Sequence, residues 1–301
     1  MTTWTVRVPG RRARPRPVAE PVSLPSEITV LTEALTAVAV VCAWVLLQLL
    51  VLGGVSFDRA QQVMYDEFRT DLAAATAPVG GVIEPGAPVA LMDVPGLDLS
   101  AVVVEGTASA QTLTGPGHRR DTALPGQPGT AVVYGRASTF GAPFGALDSL
   151  RPGDRISTVT GQGRATYEVT TVRRTGDPLP QPLAAGKGRL TLVSAQGQGR
   201  LAALSPGEVV YVDADLVSAP FESGPARLSA VTTAEQPMGR DPAVLPLLTL
   251  ALAGLGAVVA AAAYVRTRLG RARTWVLAAA PVAALAWIAT DLAMSLLPNL
   301  I

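Results

Sequence analysis

The 301-residue sequence contains a single cysteine, a single histidine and, at Lys187, a single lysine. Cys42 stands in an apolar run near the N-terminus and His118 in a Gly/Pro-rich stretch. A thiol nucleophile with an imidazole base therefore cannot assemble in a domain outside the membrane, and a zinc site has no ligand spacing to draw on. The middle of the chain also has no disulfide to brace it, so any domain there must be held by its core. Aromatic residues make up 5% and charged residues 16% of the composition, and a net charge of +1 leaves no basic surface of the kind nucleic acid requires. Neither a nucleic-acid partner nor a metal or other cofactor is expected.

Apolar residues are abundant at 49%, and with so few charges they point first to a membrane protein. No charged residue falls between Ala34 and Phe57. At about 1.5 Å of rise per residue that run is long enough to cross a hydrocarbon core of about 30 Å. Residues 29–57 are read as a first transmembrane helix. It is a signal anchor rather than a cleaved signal peptide, because its apolar core is long and the small-residue stretch Ala73-Ala74-Ala75 lies well beyond it. Two further spans, 243–265 and 275–297, form a hairpin around a basic turn at 266–274. Arg7, Arg11, Arg12, Arg14 and Arg16 precede the first span, and Arg266, Arg268, Arg271 and Arg273 fill the turn. Retention of basic flanks puts both in the cytoplasm and the middle domain outside, in a multi-pass protein of the cell membrane. Residues 1–28, with arginines interleaved among prolines, read as a disordered basic tail drawn to anionic inner-leaflet lipid.

Residues 58–79 place Ala60, Val63, Met64, Phe68 and Leu72 at helical spacing, which predicts an amphipathic stalk helix. From 80 to 217 the chain becomes a series of short β-branched runs separated by Gly and Pro. They are Pro88 to Val94, Ala101 to Val104, Thr130 to Tyr134, Arg155 to Thr160, Ala165 to Val172, Arg189 to Ser194 and Val209 to Leu216. Seven or eight such strands argue for a closed or nearly closed barrel, and the glycines flanking Gln162 mark a hairpin. Residues 218–242, proline-bearing and without periodicity, read as a linker to the second span. The expected fold class is mainly β, a barrel outside the membrane with three transmembrane α-helices.

Several segments in order carry a resemblance. Gly115-Pro116-Gly117-His118 through Pro128-Gly129-Thr130 is similar to the lead-in to the catalytic histidine of actinobacterial, class E-like sortases. Gly141-Ala142-Pro143-Phe144-Gly145, followed by Leu150-Arg151-Pro152-Gly153-Asp154, resembles that family's loop into its next strand. Leu190-Thr191-Leu192-Val193 resembles the strand whose next residues are normally Thr-Cys. Together these cover roughly residues 83 to 217 and imply a sortase-like barrel and cysteine transpeptidation at the cell surface.

The positions that the resemblance assigns to catalysis are changed here. Where the family carries Gly-His, the histidine being the proton donor to the leaving amine, Gly135 is followed by Arg136. A guanidinium stays protonated and cannot cycle a proton. The nucleophile position falls on Ala195, whose methyl group has no lone pair. The third position, an arginine near the next strand, falls on Arg200 if the intervening loop is short, or on Glu208 if Leu204 to Val212 is matched to the strand; the second alignment is preferred. His118, Arg136, Ser138, Ser194 and Arg200 are then the groove or binding candidates. Ser194 lies beside the vacated site but would need His118 as its base.

The resemblance thus implies a catalytically degenerate, membrane-anchored member that binds a surface peptide or protein ligand. Two alternatives stay open. One is an active sortase-fold hydrolase or transpeptidase with a non-standard nucleophile. The other is a structural subunit of an envelope complex or transporter that meets a membrane-protein partner through the second and third spans, where small residues from Ala253 to Ala263 allow close packing. Asp291 interrupts the third span and is expected to reach water near its outer end. Asp213 and Asp215, alternating along one strand, read as carboxylates facing water. Leu297-Pro298-Asn299 is not read as a sorting signal.

Overall fold

The computed structural model describes residue 35, residues 39–197 and residues 206–301. The basic tail, the first part of the first apolar run and Arg200 lie outside the described residues. Residues 39–47 are helical, and Val45–Ile301 make up one unit.

Within that unit a π-helical turn, Gln48–Leu52, runs into α1, Gly53–Ala74. Eight strands follow: β1 Pro88–Val94, β2 Leu99–Glu105, β3 Gly117–His118, β4 Gly129–Tyr134, β5 Arg155–Thr160, β6 Gly163–Arg174, β7 Gly188–Gly197 and β8 Pro206–Leu216. A single short helical turn, α2 Ser109–Thr112, precedes β3. The strands close into a barrel in the order β1-β2-β3-β4-β7-β8-β6-β5. Pairing is antiparallel except at β2/β3 and β4/β7, which are parallel. The β5–β6 hairpin, closed by Gly161-Gln162 with Thr160 opposite Gly163, is carried in the crossover from β4 to β7.

Period-two patterning decides which side chains fill the barrel. Along β5 the even residues Ile156, Thr158 and Thr160 are buried, and along β6 Ala165, Tyr167 and Val169 face them. These join Val89, Met92, Val103, Val133, Leu190, Leu192 and Val212 in one contiguous core. Burying a side chain of this size contributes roughly 1.5–3 kcal/mol, which is how a barrel without disulfides holds together.

α1 is packed against the barrel rather than standing free as a stalk. Met64 is buried against Val102 and Val104 with Ala60 and Leu91 beside it, and Phe68 is buried as well. Val63, expected on the same face, is instead 60% exposed. The buried stripe follows the i, i+4 line through Ala60, Met64 and Phe68, which leaves Val63 off that face. Gln61 supplies what β2 lacks. The Val102 N–H donates to Gln61 Oε1 (2.7 Å), and Gln61 Nε2 donates to the Val102 and Thr114 carbonyl oxygens (3.2 and 2.9 Å). β3 begins to pair with β2 only at Val104, so a side chain takes the place of a strand at this edge.

Residues 218–242 are laid along the barrel instead of forming a loose tether. Phe221 packs on the core and its N–H donates to the Gly126 carbonyl oxygen (2.8 Å). Arg227 bonds Glu105 and donates to the Thr122 and Gly81 carbonyl oxygens (3.1 and 3.2 Å). Glu235 pairs with Arg120, and its carbonyl oxygen accepts from the Thr107 hydroxyl (2.8 Å). Nothing in the periodicity of this stretch marks it as a strap, because its anchors are single side chains.

The strap leads into α3, Leu245–Leu269, and α4, Arg271–Met294, separated by Gly270. Among the described residues two segments are long and apolar enough to cross a membrane, Pro242–Arg268 and Ala272–Met294. They pack as a hairpin, with Gly254 of α3 facing Leu285 of α4. Asp291 does not simply reach water: its Oδ1 accepts from Gln48 Nε2 at 2.7 Å. Gln48 sits in the π-helical turn, and Val45 and Leu49 nearby pack with Phe57, Phe140, Met294 and Leu297. One polar pair inside an apolar contact thus joins the π-helical turn to α4.

Candidate functional site

The parallel β4/β7 pair brings two distant segments of sequence together. Tyr134 is opposite Val193, the Gly135 N–H donates to the Val193 carbonyl oxygen (3.0 Å), and the Ser194 hydroxyl donates to the Gly135 carbonyl oxygen (2.9 Å). Gly135-Arg136 therefore continues beside Ser194-Ala195 at the ends of neighbouring strands. Only glycine fits at 135, since a Cβ there would lie 2.3 Å from the Phe144 ring.

Arg136 is wholly buried. Its Nη1 donates to Thr139 Oγ1 (3.1 Å) and to the Ile301 carbonyl oxygen (3.0 Å). Its Nη2 donates to Ser109 Oγ (2.7 Å) and the Ser109 carbonyl oxygen (3.2 Å), and the guanidinium lies 5.6 Å from the Phe140 ring centre. All four bonds end on hydroxyl or main-chain oxygens. Burial pushes the guanidinium down to about 9, still charged at neutral pH. Such a group can hold a carbonyl in place; it is not a proton shuttle at neutral pH.

Ala195 is 5% exposed and packs with Tyr134, Val193 and Leu300. On one side of it is a cavity of about 310 Å³ lined by Ser138, Phe144, Asp148, Ser194 and Gln196. On the other face of the sheet lies a larger cleft of about 490 Å³. Its floor is Thr130, Val132 and Tyr134 of β4, Thr191 and Val193 of β7 and Tyr211 of β8; residues 179–183, between β6 and β7, form one wall, and Gln236-Pro237 of the strap form a rim. The charges in it are neutralised in pairs. Arg173 meets Asp213 (2.6 Å), Arg189 meets Asp215 (2.7 Å) and Arg119 meets Asp121 (2.7 Å). Asp213, expected to face water, is fully buried and also accepts from the Thr191 hydroxyl (2.7 Å). Burial raises the Tyr134 phenol to about 12, against the opposing pull of Arg119.

The other sequence-derived candidates are dispersed. His118 does not approach Ser194. It lies buried in β3 with Nδ1 3.0 Å from Glu105 Oε2 and Nε2 donating to the Ala123 carbonyl oxygen (2.8 Å), and Arg227 closes the cluster. Ser138 lines the smaller cavity. Glu208 pairs in register with Gln196, so Val209 stands across from Ala195. By strand alternation Glu208 shares the side of Val210 and Val212, which is not the face of the cleft; Arg174 Nε lies 3.9 Å from its carboxylate. Among the described residues no group of three or more His, Cys, Asp or Glu side chains converges as a metal site would require.

Residues 92–200 match the sortase-domain family model. This chain carries a sortase domain. No curated protein matches the sequence. Similar solved structures include the sortase D5 transpeptidase of Clostridium perfringens, at 21% identity and a TM-score of 0.43 over 53% of this chain and 99% of that one. Sortase E from Streptomyces avermitilis is 28% identical with a TM-score of 0.38 over 45% and 91%. The SrtF sortase of Corynebacterium diphtheriae is 22% identical with a TM-score of 0.39 over 47% and 91%. Glu105, inside the matched residues, and Gln61, Arg227 and Leu300, outside them, shape the site's surroundings, and the last three leave no pattern in the sequence. Only Glu105 carried a signal, a lone carboxylate closing the run Ala101-Val102-Val103-Val104.

Proposed function

We propose that this chain is a membrane-anchored sortase-domain protein without thiol transpeptidase chemistry, which binds a peptide or a segment of a partner protein in the cleft over β4, β7 and β8. One observation carries the reading. Arg136 and Ala195 stand at the ends of neighbouring strands, at the positions where the resemblance requires His and Cys, and neither can perform those steps. Binding needs only the cleft, whose floor and walls contain no thiol. The basic flanks support three spans, with the N-terminus in the cytoplasm and the barrel at the outer face. Ser194 is a poor substitute nucleophile, because its hydroxyl donates to the Gly135 carbonyl oxygen and His118 is engaged elsewhere.

The test uses the full chain in lipid nanodiscs. Fluorescent extended peptides are screened by anisotropy, and fluorogenic peptides by turnover. Peptides are expected to bind without cleavage, and Val132→Trp, which fills the cleft floor, is expected to weaken binding at least tenfold. Cleavage that disappears in Ser194→Ala would overturn the reading.

A further inference from the structure

After α4 ends at Met294 the chain turns back onto the barrel, and Leu300 settles on Ala195 and on Tyr134 and Val193, two residues of the cleft floor. The Asn299 N–H donates to the Gly239 carbonyl oxygen (3.0 Å), and Asn299 Nδ2 donates to the carbonyl oxygens of Thr107 (2.6 Å) and Gln236 (2.9 Å). The Leu300 carbonyl oxygen accepts from the Ala137 N–H (3.0 Å). The Ile301 carbonyl oxygen accepts from Arg136 Nη1 (3.0 Å) and from the Thr139 hydroxyl. The Leu300 side chain is fully buried against Tyr134, Val193 and Ala195.

This is how a short peptide is bound: main-chain carbonyl groups captured by an N–H, a hydroxyl and a guanidinium, one apolar side chain in a pocket, and one amide fixing the register. We propose that Pro298–Ile301 are a resident ligand of the Ala195 site, a plug that closes this end of the groove and is held by Arg136. The plug rests on the groove reading above for its consequence, since a peptide longer than the open cleft binds only when the plug has left. Two polar atoms at the plug, Arg136 Nε and Asn299 Oδ1, are buried without a hydrogen-bond partner among the described residues. Those unmade bonds weaken the closed state and favour an equilibrium with an open one.

The test needs no external peptide, so it can fail while the groove reading stands. In the full chain in nanodiscs, Cys42→Ser with Ala195→Cys leaves one thiol, and its rate of alkylation by a soluble maleimide is measured, normalised to the rate in denaturant. With the native sequence at 298–301 the thiol is expected to react at least tenfold more slowly than after Leu300→Ala or Asn299→Ala, each checked for retained structure by circular dichroism. Arg136→Gln, which releases Ile301 but keeps the Leu300 pocket, should give an intermediate rate. Equal rates within twofold across the series, or rapid alkylation with the native residues at 298–301, would overturn the plug. Loss of peptide binding with slow alkylation intact would instead overturn the groove reading alone.

Discussion

Replacing Gln61 with methionine keeps the length and packing of the side chain while removing its three hydrogen bonds. Val102 is 1% exposed, and its N–H and carbonyl both depend on Gln61 at the edge where β2 has no strand partner. Orphaning a buried polar group costs about 1–3 kcal/mol, so two such groups cost roughly 2–6 kcal/mol. For a folded unit of this size each kcal/mol lowers Tm by about 2–4 °C, which puts the expected fall between roughly 4 and 24 °C. The four tryptophans lie at 4, 44, 275 and 287, outside the barrel, so their fluorescence is the wrong probe. Near-ultraviolet circular dichroism of the tyrosines follows the barrel, and hydrogen exchange read by mass spectrometry follows the Val102 amide itself. Lost protection at Val102 together with the fall in Tm is the expected result. Unchanged protection, with Tm within about 1 °C of the parent, would refute the claim that a side chain completes the sheet and docks α1.

Tyr167 is buried in the barrel with its hydroxyl bonded by the Gly126 N–H, and burial raises it to about 12 from an ordinary value of 10.0. The fold favours the neutral phenol, so this contribution is intact below pH 10 and is lost as pH climbs towards 12, amounting to roughly 2–3 kcal/mol. Ultraviolet titration of phenolate should therefore show a late phase that coincides with alkaline unfolding, reduced in Tyr167→Phe; a late phase of undiminished size in that variant contradicts the assignment. Gln48→Leu removes the donor to Asp291 and should weaken packing of α4 on the π-helical turn by about 1–2 kcal/mol. Cross-linking between cysteines placed at Val45 and Leu297, in the same apolar cluster, should slow accordingly in the Cys42→Ser background, and an unchanged rate counts against the pair.

The barrel was legible because period-two patterning and turn residues are local signals, and the runs beginning at Pro88 and Arg155 coincide with β1 and β5 at both ends. β3 escaped because two residues, Gly117-His118, leave no pattern to read. Arg136 and Ala195, where the resemblance expects His and Cys, stood out through residue identity alone. What surrounds it was not, because its parts are far apart in sequence: Ser109 precedes β3, the strap follows β8, and Leu300 follows the last helix. A lone glutamine on α1 or an arginine in an aperiodic stretch announces nothing until its carbonyl or carboxylate partner is fixed in space. Asp213 illustrates the converse: alternation placed it on the cleft face, but Arg173 and Thr191 closed over it.

Those long-range partners change what Arg136 means. A charged group moved into the interior costs several kcal/mol unless its donors find acceptors. Arg136 finds four, on the turn before β3, on the segment after β4 and on the segment after α4, three stretches that approach one another only in the folded chain. A position merely emptied of chemistry would tolerate a small neutral residue. This one holds a large buried cation whose bonds join the barrel to the segment that follows the apolar hairpin. Removing the guanidinium would orphan the Ser109 hydroxyl and carbonyl oxygens and loosen Ile301 together, so Arg136→Ala is expected to damage the fold as well as the site. Ala195 fits the same logic, since Leu300 packs directly on it. Arg136 and Ala195 thus serve the same segment in different ways, the guanidinium bonding Ile301 and the methyl group packing against Leu300.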